Sequence, residues 1–203
     1  MRRVFSILAL GTLLAGCAGQ APLKTAAEVR SDDAFASYLS AHFAASAHDL
    51  PQAAFYYGKS LKNDPSSSSL LALSFFYSAS AGDFAAAERY ARQVVAVTPD
   101  DRAARLALAV TAFQRKDYAD ARRQLSQSAK GAFTQMIVAL FDSWAAAAMH
   151  DTAGVDADLK ILKSERGAES LAALHTALLN DYLGRAKDAE TAYQAAIIPS
   201  LET

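Results

Sequence analysis

Scarcity sets the first limits on this chain. Its 203 residues include one cysteine, Cys17, and one tryptophan, Trp144. A lone cysteine excludes an internal disulfide. With no cysteine pair and no HExxH spacing among His42, His48, His150 and His175, a zinc site has no local signature either. Neither a G-x-x-x-x-G-K-[ST] loop nor a G-x-G-x-x-G fingerprint occurs, which leaves no phosphate cradle. Charge of one sign is lacking as well. Twenty Lys and Arg are scattered among 21 Asp and Glu for a net −1, and a nucleic-acid binder would cluster its basic residues. The polar run Ser66–Ser69 offers hydroxyls but no positioned base or oxyanion site. These absences point to a chain that is not an enzyme, takes no cofactor or metal, and does not bind nucleic acid.

Long apolar runs are confined to the amino terminus. Arg2 and Arg3 precede an apolar stretch from Val4 to Leu14, closed by Leu14-Ala15-Gly16-Cys17. Eleven helical residues rise about 16 Å, roughly half a bilayer's hydrocarbon thickness. The segment therefore reads as a signal peptide over residues 1–16. Its ending resembles the lipobox of bacterial lipoproteins, which implies that Cys17 becomes the lipidated first residue of the mature chain. Two or three acyl chains make a stable anchor where one is marginal. Ala18 follows Cys17 in place of the aspartate that, by the same resemblance, retains lipoproteins at the inner membrane, so the periplasmic face of the outer membrane is expected. Cleavage takes Arg2 and Arg3 away and leaves a formal charge of −3. Residues 17–32 read as the lipidated cysteine and a short tether carrying Gly19 and Pro22.

The remainder, residues 33–203, carries a 34-residue register. Asp49, Asp83, Asp117 and Asp151 stand 34 apart, and four residues beyond each come Ala53, Ala87, Ala121 and Val155, with Ala189 completing the series. Pro65 and Pro99 keep the same step. Three columns in phase argue for a helical solenoid. The first unit, with His48-Asp49-Leu50-Pro51-Gln52-Ala53-Ala54-Phe55-Tyr56-Tyr57 before Asn63-Asp64-Pro65, resembles the tetratricopeptide repeat. The resemblance implies an all-α, right-handed solenoid of about five helix-turn-helix units.

Each unit then needs two antiparallel helices that cross closely. Ala41, Ala109, Ser143 and Ala177 supply the small site on the first helix, Phe75 interrupting it, and the alanine column supplies the facing site. The aspartates cap the second helices. In the third unit the position 34 beyond Pro99 holds Phe133, and Lys130-Gly131 offers a helix stop instead. In the fifth, Arg185 replaces the capping aspartate.

First helices of successive units stand side by side, and the register predicts what they present in a concave groove. Tyr38, His42, Phe76, Leu106, Val110, Phe113, Leu140, Trp144 and Leu178 fall there, largely apolar and aromatic. Tetratricopeptide domains that grip a carboxylate tail use Lys, Arg and Asn in these columns, so such a clamp is disfavoured. An apolar groove suits an amphipathic helix or an extended peptide held by a few aromatic anchors. The expected role is an outer-membrane-anchored periplasmic scaffold or adaptor with a protein or peptide partner, or an accessory lipoprotein for pilus, secretin or outer-membrane assembly or for peptidoglycan enzymes. A homodimer through an uncapped last unit is a further expectation, since solenoid ends need covering. The resemblance also suggests the front part of a longer array.

Overall fold

Five Asx caps and five left-handed turns divide the chain into helical hairpins. The computed structural model describes residues 26–197, which form ten helices and no strand. They run α1 (Ala26–Ser46), α2 (Leu50–Asn63), α3 (Ser68–Ser80), α4 (Phe84–Val97), α5 (Arg102–Gln114), α6 (Tyr118–Ser126), α7 (Ala132–Ala148), α8 (Thr152–Ser164), α9 (Glu169–Tyr182) and α10 (Ala186–Ile197). Odd-numbered helices open a unit and even-numbered helices close it. Each helix packs on its neighbours in the chain, and α7 also touches α9. The architecture is an all-α repeat solenoid. None of these helices is long and apolar enough to cross a membrane. The signal segment and Cys17 lie outside the described residues, and α1 already begins within the stretch expected as a tether.

The turn inside every unit has one construction. His48, Gly82, Lys116, His150 and Gly184 occupy the same register position, and all five have positive φ, between 57° and 78°. The left-handed residue lets the chain turn back onto the first helix. The amide of Asp49 donates to Ala44 O at 2.8 Å, and Asp83, Asp117, Asp151 and Arg185 repeat that bond. These are Schellman-type ends, which satisfy carbonyls that the helix itself leaves free. The same aspartates then start the next helix. Asp49 accepts from Gln52 N, Asp83 from Ala86 N, Asp117 from Asp120 N and Asp151 from Gly154 N. The inter-unit turns are built differently: Ser67 caps α3 and Asp101 caps α5.

Both predicted crossing columns are buried. Ala53, Ala87, Ala121, Val155 and Ala189 are at most 3% exposed, and Ala41, Ala109, Ser143 and Ala177 at most 1%. Phe75 interrupts the first column yet is buried in a cluster with Leu61, Ala87 and Tyr90. Tyr90 also reaches the preceding unit, where a Cβ on Gly58 would stand 2.9 Å from the phenol oxygen. Glycine at 58 is what leaves room for the ring.

One joint departs from the register. The third unit's closing helix was expected to run to Lys130-Gly131, but α6 stops at Ser126 and has 9 residues, where α2 and α4 have 14. Helix α7 has 17 residues, where α3 and α5 have 13. A turn has passed from one helix to the next. Ser126 Oγ donates to Arg123 O at 2.8 Å, and a hydroxyl bonded back to its own helix competes with continuation. The following segment turns back to the start of its unit: Ala129 N donates to Asp100 O at 2.8 Å and Arg102 Nη2 to Lys130 O at 3.3 Å. No proline blocks position 133, so α7 extends backward.

Electrostatics replace the missing turn at this joint. Arg122 of α6 donates two bonds to Asp142 of α7, at 2.9 and 3.1 Å, and a third to Asp151 at 2.7 Å. These bonds, Asp142 first, hold the guanidinium charged well above its usual range. Asp151 both caps α8 and receives Arg122, and the Gly154 amide with that guanidinium holds its carboxyl below the usual range. A Cβ on Gly154 would collide with this carboxylate. Beside them Asp158 has one buried, unpartnered oxygen, and burial, with Asp142 next to it, pushes its carboxyl from 3.8 up to about 7. The unfolded carboxyl ionises first as pH rises, so Asp158 lowers stability progressively from about pH 4 to about pH 7.

The three non-glycine left-handed residues give a direct test. A side chain in that conformation costs on the order of 1 kcal/mol, part of which glycine returns through its freer unfolded chain. His48→Gly, Lys116→Gly and His150→Gly should each stabilise by roughly 0.5 kcal/mol, and the triple variant should melt about 3–6 °C higher. Thermal unfolding by circular dichroism measures this; unchanged or lower melting would contradict the turn geometry.

Candidate functional site

The helices that open each unit carry a row of uncharged side chains that is exposed at its two ends and half-buried between them. Tyr38 and His42 project from α1 and Phe76 from α3, with Tyr38 40% and Phe76 57% exposed. Leu106, Val110 and Phe113 of α5, Leu140 and Trp144 of α7 and Leu178 of α9 are half-buried. Leu174 and Tyr182 of α9 are exposed and extend the row. No lysine or arginine stands among them, and Asp181 at the end of α9 is the nearest acid in the row. Side chains of this kind can exclude water from an apolar partner and can offer it ring edges and faces. They lack the lysine or arginine that would pair with a carboxylate.

The aromatic groups pair locally. Tyr38 lies 6.1 Å from Tyr57, which stacks on Tyr77 at 4.9 Å, and Phe76 meets Tyr77 edge-on. Phe113 and Trp144, both among the predicted groove residues, belong to separate groups. Phe113 sits edge-on to Tyr118 at 5.0 Å, whereas Trp144 lies edge-on to His175 at 6.0 Å and to Tyr182 at 6.1 Å. Trp144 Nε1 donates to His175 Nδ1 at 3.1 Å. The indole is thereby fixed between α7 and α9, with its polar edge satisfied and part of its face open.

His175 was not among the predicted wall residues. It stands 31 residues after Trp144, one turn short of the register step, so a search along a single column passes over it. His48 and His150 are exposed turn residues with left-handed backbone. Among the described residues no group of histidines and acids has the arrangement of a metal site.

Comparison with known proteins bears on this architecture. Residues 78–133 match the tetratricopeptide repeat family model. The capping aspartates and buried small columns of that segment recur in register on both sides of it. The solenoid is built of tetratricopeptide repeats. Among solved structures the chain is similar to the crystal structure of MamA protein, with a TM-score of 0.67, 14% identity, and coverage of 82% of this chain and 91% of that one. At that identity the likeness concerns the fold alone. No curated protein matches the chain. Tetratricopeptide repeats present helix faces to other chains, and the fold supports a scaffold for protein–protein interaction.

The lone tryptophan reports on its own contact. Burial holds the His175 imidazole below its usual 6.5, so it accepts from the indole as the neutral ring. The unfolded chain takes up this proton first as pH falls below 6.5, and the contact's stability is then lost down to the folded pKa. Trp144 emission should titrate with a midpoint below 6.5, and His175→Gln should abolish the transition. A midpoint at or above 6.5, or one that survives the substitution, would disprove the contact.

Proposed function

We propose that this tetratricopeptide solenoid is a periplasmic scaffold or adaptor, held through lipidated Cys17 at the outer membrane, which docks a protein or peptide on the wall formed by its opening helices. The observation that carries the reading is the partly exposed apolar and aromatic row from Tyr38 to Tyr182, which contains no lysine or arginine. Such a row favours an amphipathic helix or extended segment whose large apolar side chains seat beside Phe76, Phe113 and Trp144. The anchor is supported by the Arg2-Arg3 start, the short apolar run and the Leu-Ala-Gly-Cys ending. Anchoring fixes the scaffold on the membrane while the wall remains available to a partner.

Two experiments test the two halves separately. Cys17→Ser should move the protein from the membrane fraction to the soluble fraction without altering its helical circular dichroism; retention in the membrane would refute the anchor. For the wall, the chain is immobilised and partners from envelope extract are identified by mass spectrometry. Aromatic anchors contribute about 2 kcal/mol each, so Phe113→Ala with Trp144→Ala should weaken capture by a factor of about 30 or more. Capture unchanged in a folded double variant would put the binding surface elsewhere.

A further inference from the structure

The junction between units occurs four times in this chain, and its first half stands open on α1. At each junction the closing helix of one unit lies on the opening helix of the next. Tyr57, Ala91, Leu125 and Leu159 occupy one column of the closing helices, and all are buried. Across from it, Tyr77, Thr111, Ala145 and Leu179 occupy one column of the opening helices and are buried or half-buried. Tyr57 stacks on Tyr77 at 4.9 Å, and Leu159 shares a core cluster with Leu179.

The same opening column in the first unit holds Phe43, which is 74% exposed. One and two turns before it come Leu39 at 51% and Phe35 at 66%. Leu73, Ala107, Phe141 and His175, the counterparts of Leu39, are all half-buried. Phe35, Leu39 and Phe43 thus form an apolar stripe in the place where every later unit receives a helix. Leu39 and Phe43 also line a depression of ≈ 580 Å³ that runs to Tyr56 of α2. At the opposite end, α10 carries Tyr193 in the column of Tyr57, and no further helix lies on it among the described residues.

We propose that a second copy of this chain fills the α1 face, its α10 lying on α1 as α2 lies on α3, so that copies join head to tail. Tyr193 of one copy then meets Phe43 of the next, and the pair reproduces the stacked Tyr57 and Tyr77. The contact is heterologous, because the two surfaces differ, and nothing in it closes a ring. The regular internal junctions are the pattern for both its geometry and its chemistry.

Charge makes this joint weaker than the internal ones. Glu190 stands in the column of Glu88, Arg122 and Asp156, each of which finds an ion-pair partner on the next unit: Arg115 at 2.9 Å, Asp142 at 2.9 Å and Arg185 at 2.8 Å. The first unit offers Ala47, His48 and Asp49 in the corresponding turn and no guanidinium. Glu190 would face Asp49, so the joint forms without an ion pair and is favoured by salt, which screens the two acids.

Sedimentation of the full chain carrying Cys17→Ser, in mild detergent, tests the proposal. The expected result is association that grows with concentration beyond a dimer and strengthens with salt. Phe43→Asp and Tyr193→Asp should each weaken self-association by about 30-fold or more. Mixed in equal amounts, the two variants should form dimers and stop there, since each retains one intact face. Phe43→Ser and Tyr193→Ser replace them if circular dichroism shows either aspartate variant unfolded. A chain that stays monomeric at every concentration overturns the proposal. So does a dimer broken by Phe43→Asp but untouched by Tyr193→Asp, which would pair two α1 faces, and so does a stripe that binds phosphatidylethanolamine vesicles with no association between chains.

Discussion

Close crossing of the two helices in each unit is the constraint on which the rest depends. Where Ala41 faces Ala53, and Ala109 faces Ala121, no side chain separates the backbones, and the burial of these residues leaves no room for a larger one. An added methylene group or two at such a site costs about 1–3 kcal/mol. The alanines themselves bury little apolar area. Their contribution is to let the larger residues around them meet, as Tyr57, Phe75, Tyr90 and Leu162 do in the clusters between helices. A solenoid has no central core, so each unit depends on such contacts with its neighbours.

The turn enforces the crossing. A left-handed residue followed by an aspartate ends one helix, satisfies its last carbonyls, and supplies the cap of the next within two positions. Three of the five left-handed residues are His48, Lys116 and His150, which tolerate the conformation at some cost. The chain accepts that strain because the reversal fixes where the two alanine columns meet. Among the inter-unit turns only the one before α9 has such a residue, Gly167, and these turns show the variation that the intra-unit turns lack. Their caps are Ser67 in one case, Asp101 in another and Gly131, without a side-chain bond, in a third.

This division explains what was legible in the residues alone. Capping aspartates and crossing alanines are demands of local backbone geometry, so they repeat every 34 positions and can be found by counting. Contacts between units are not bound to that step. Glu88 reaches Arg115 at a separation of 27, Arg122 reaches Asp142 at 20, and Trp144 reaches His175 at 31. These pairs depend on side-chain length and helix offset: Glu88 and Arg122 share a column, but their partners stand at different separations. The early stop of α6 was hidden for the same reason: the segment after Ser126 is drawn to Asp100 and Arg102 of its own unit, a contact between sequence-distant groups. The predicted groove residues lie on the opening helices, yet their grouping into Phe113 with Tyr118 and Trp144 with His175 depends on side-chain length and helix offset.

The joint between α6 and α7 shows how a solenoid absorbs a defect without losing phase. Shortening one helix by a turn and lengthening the next leaves Ser143 and Asp151 in register, so later units stack as earlier ones do. The lost helical contacts are replaced by one guanidinium shared between two carboxylates, a geometry-dependent link in which removal of either side leaves a half-buried charge uncompensated. Asp158 adds a third carboxyl to the same space, where Arg122 is the only cation joined to it by these contacts. With its proton, Asp158 relieves the crowding; without it, three acids share one guanidinium. This joint therefore has two electrostatic states separated near neutral pH, whereas the alanine crossings on either side contain nothing that titrates.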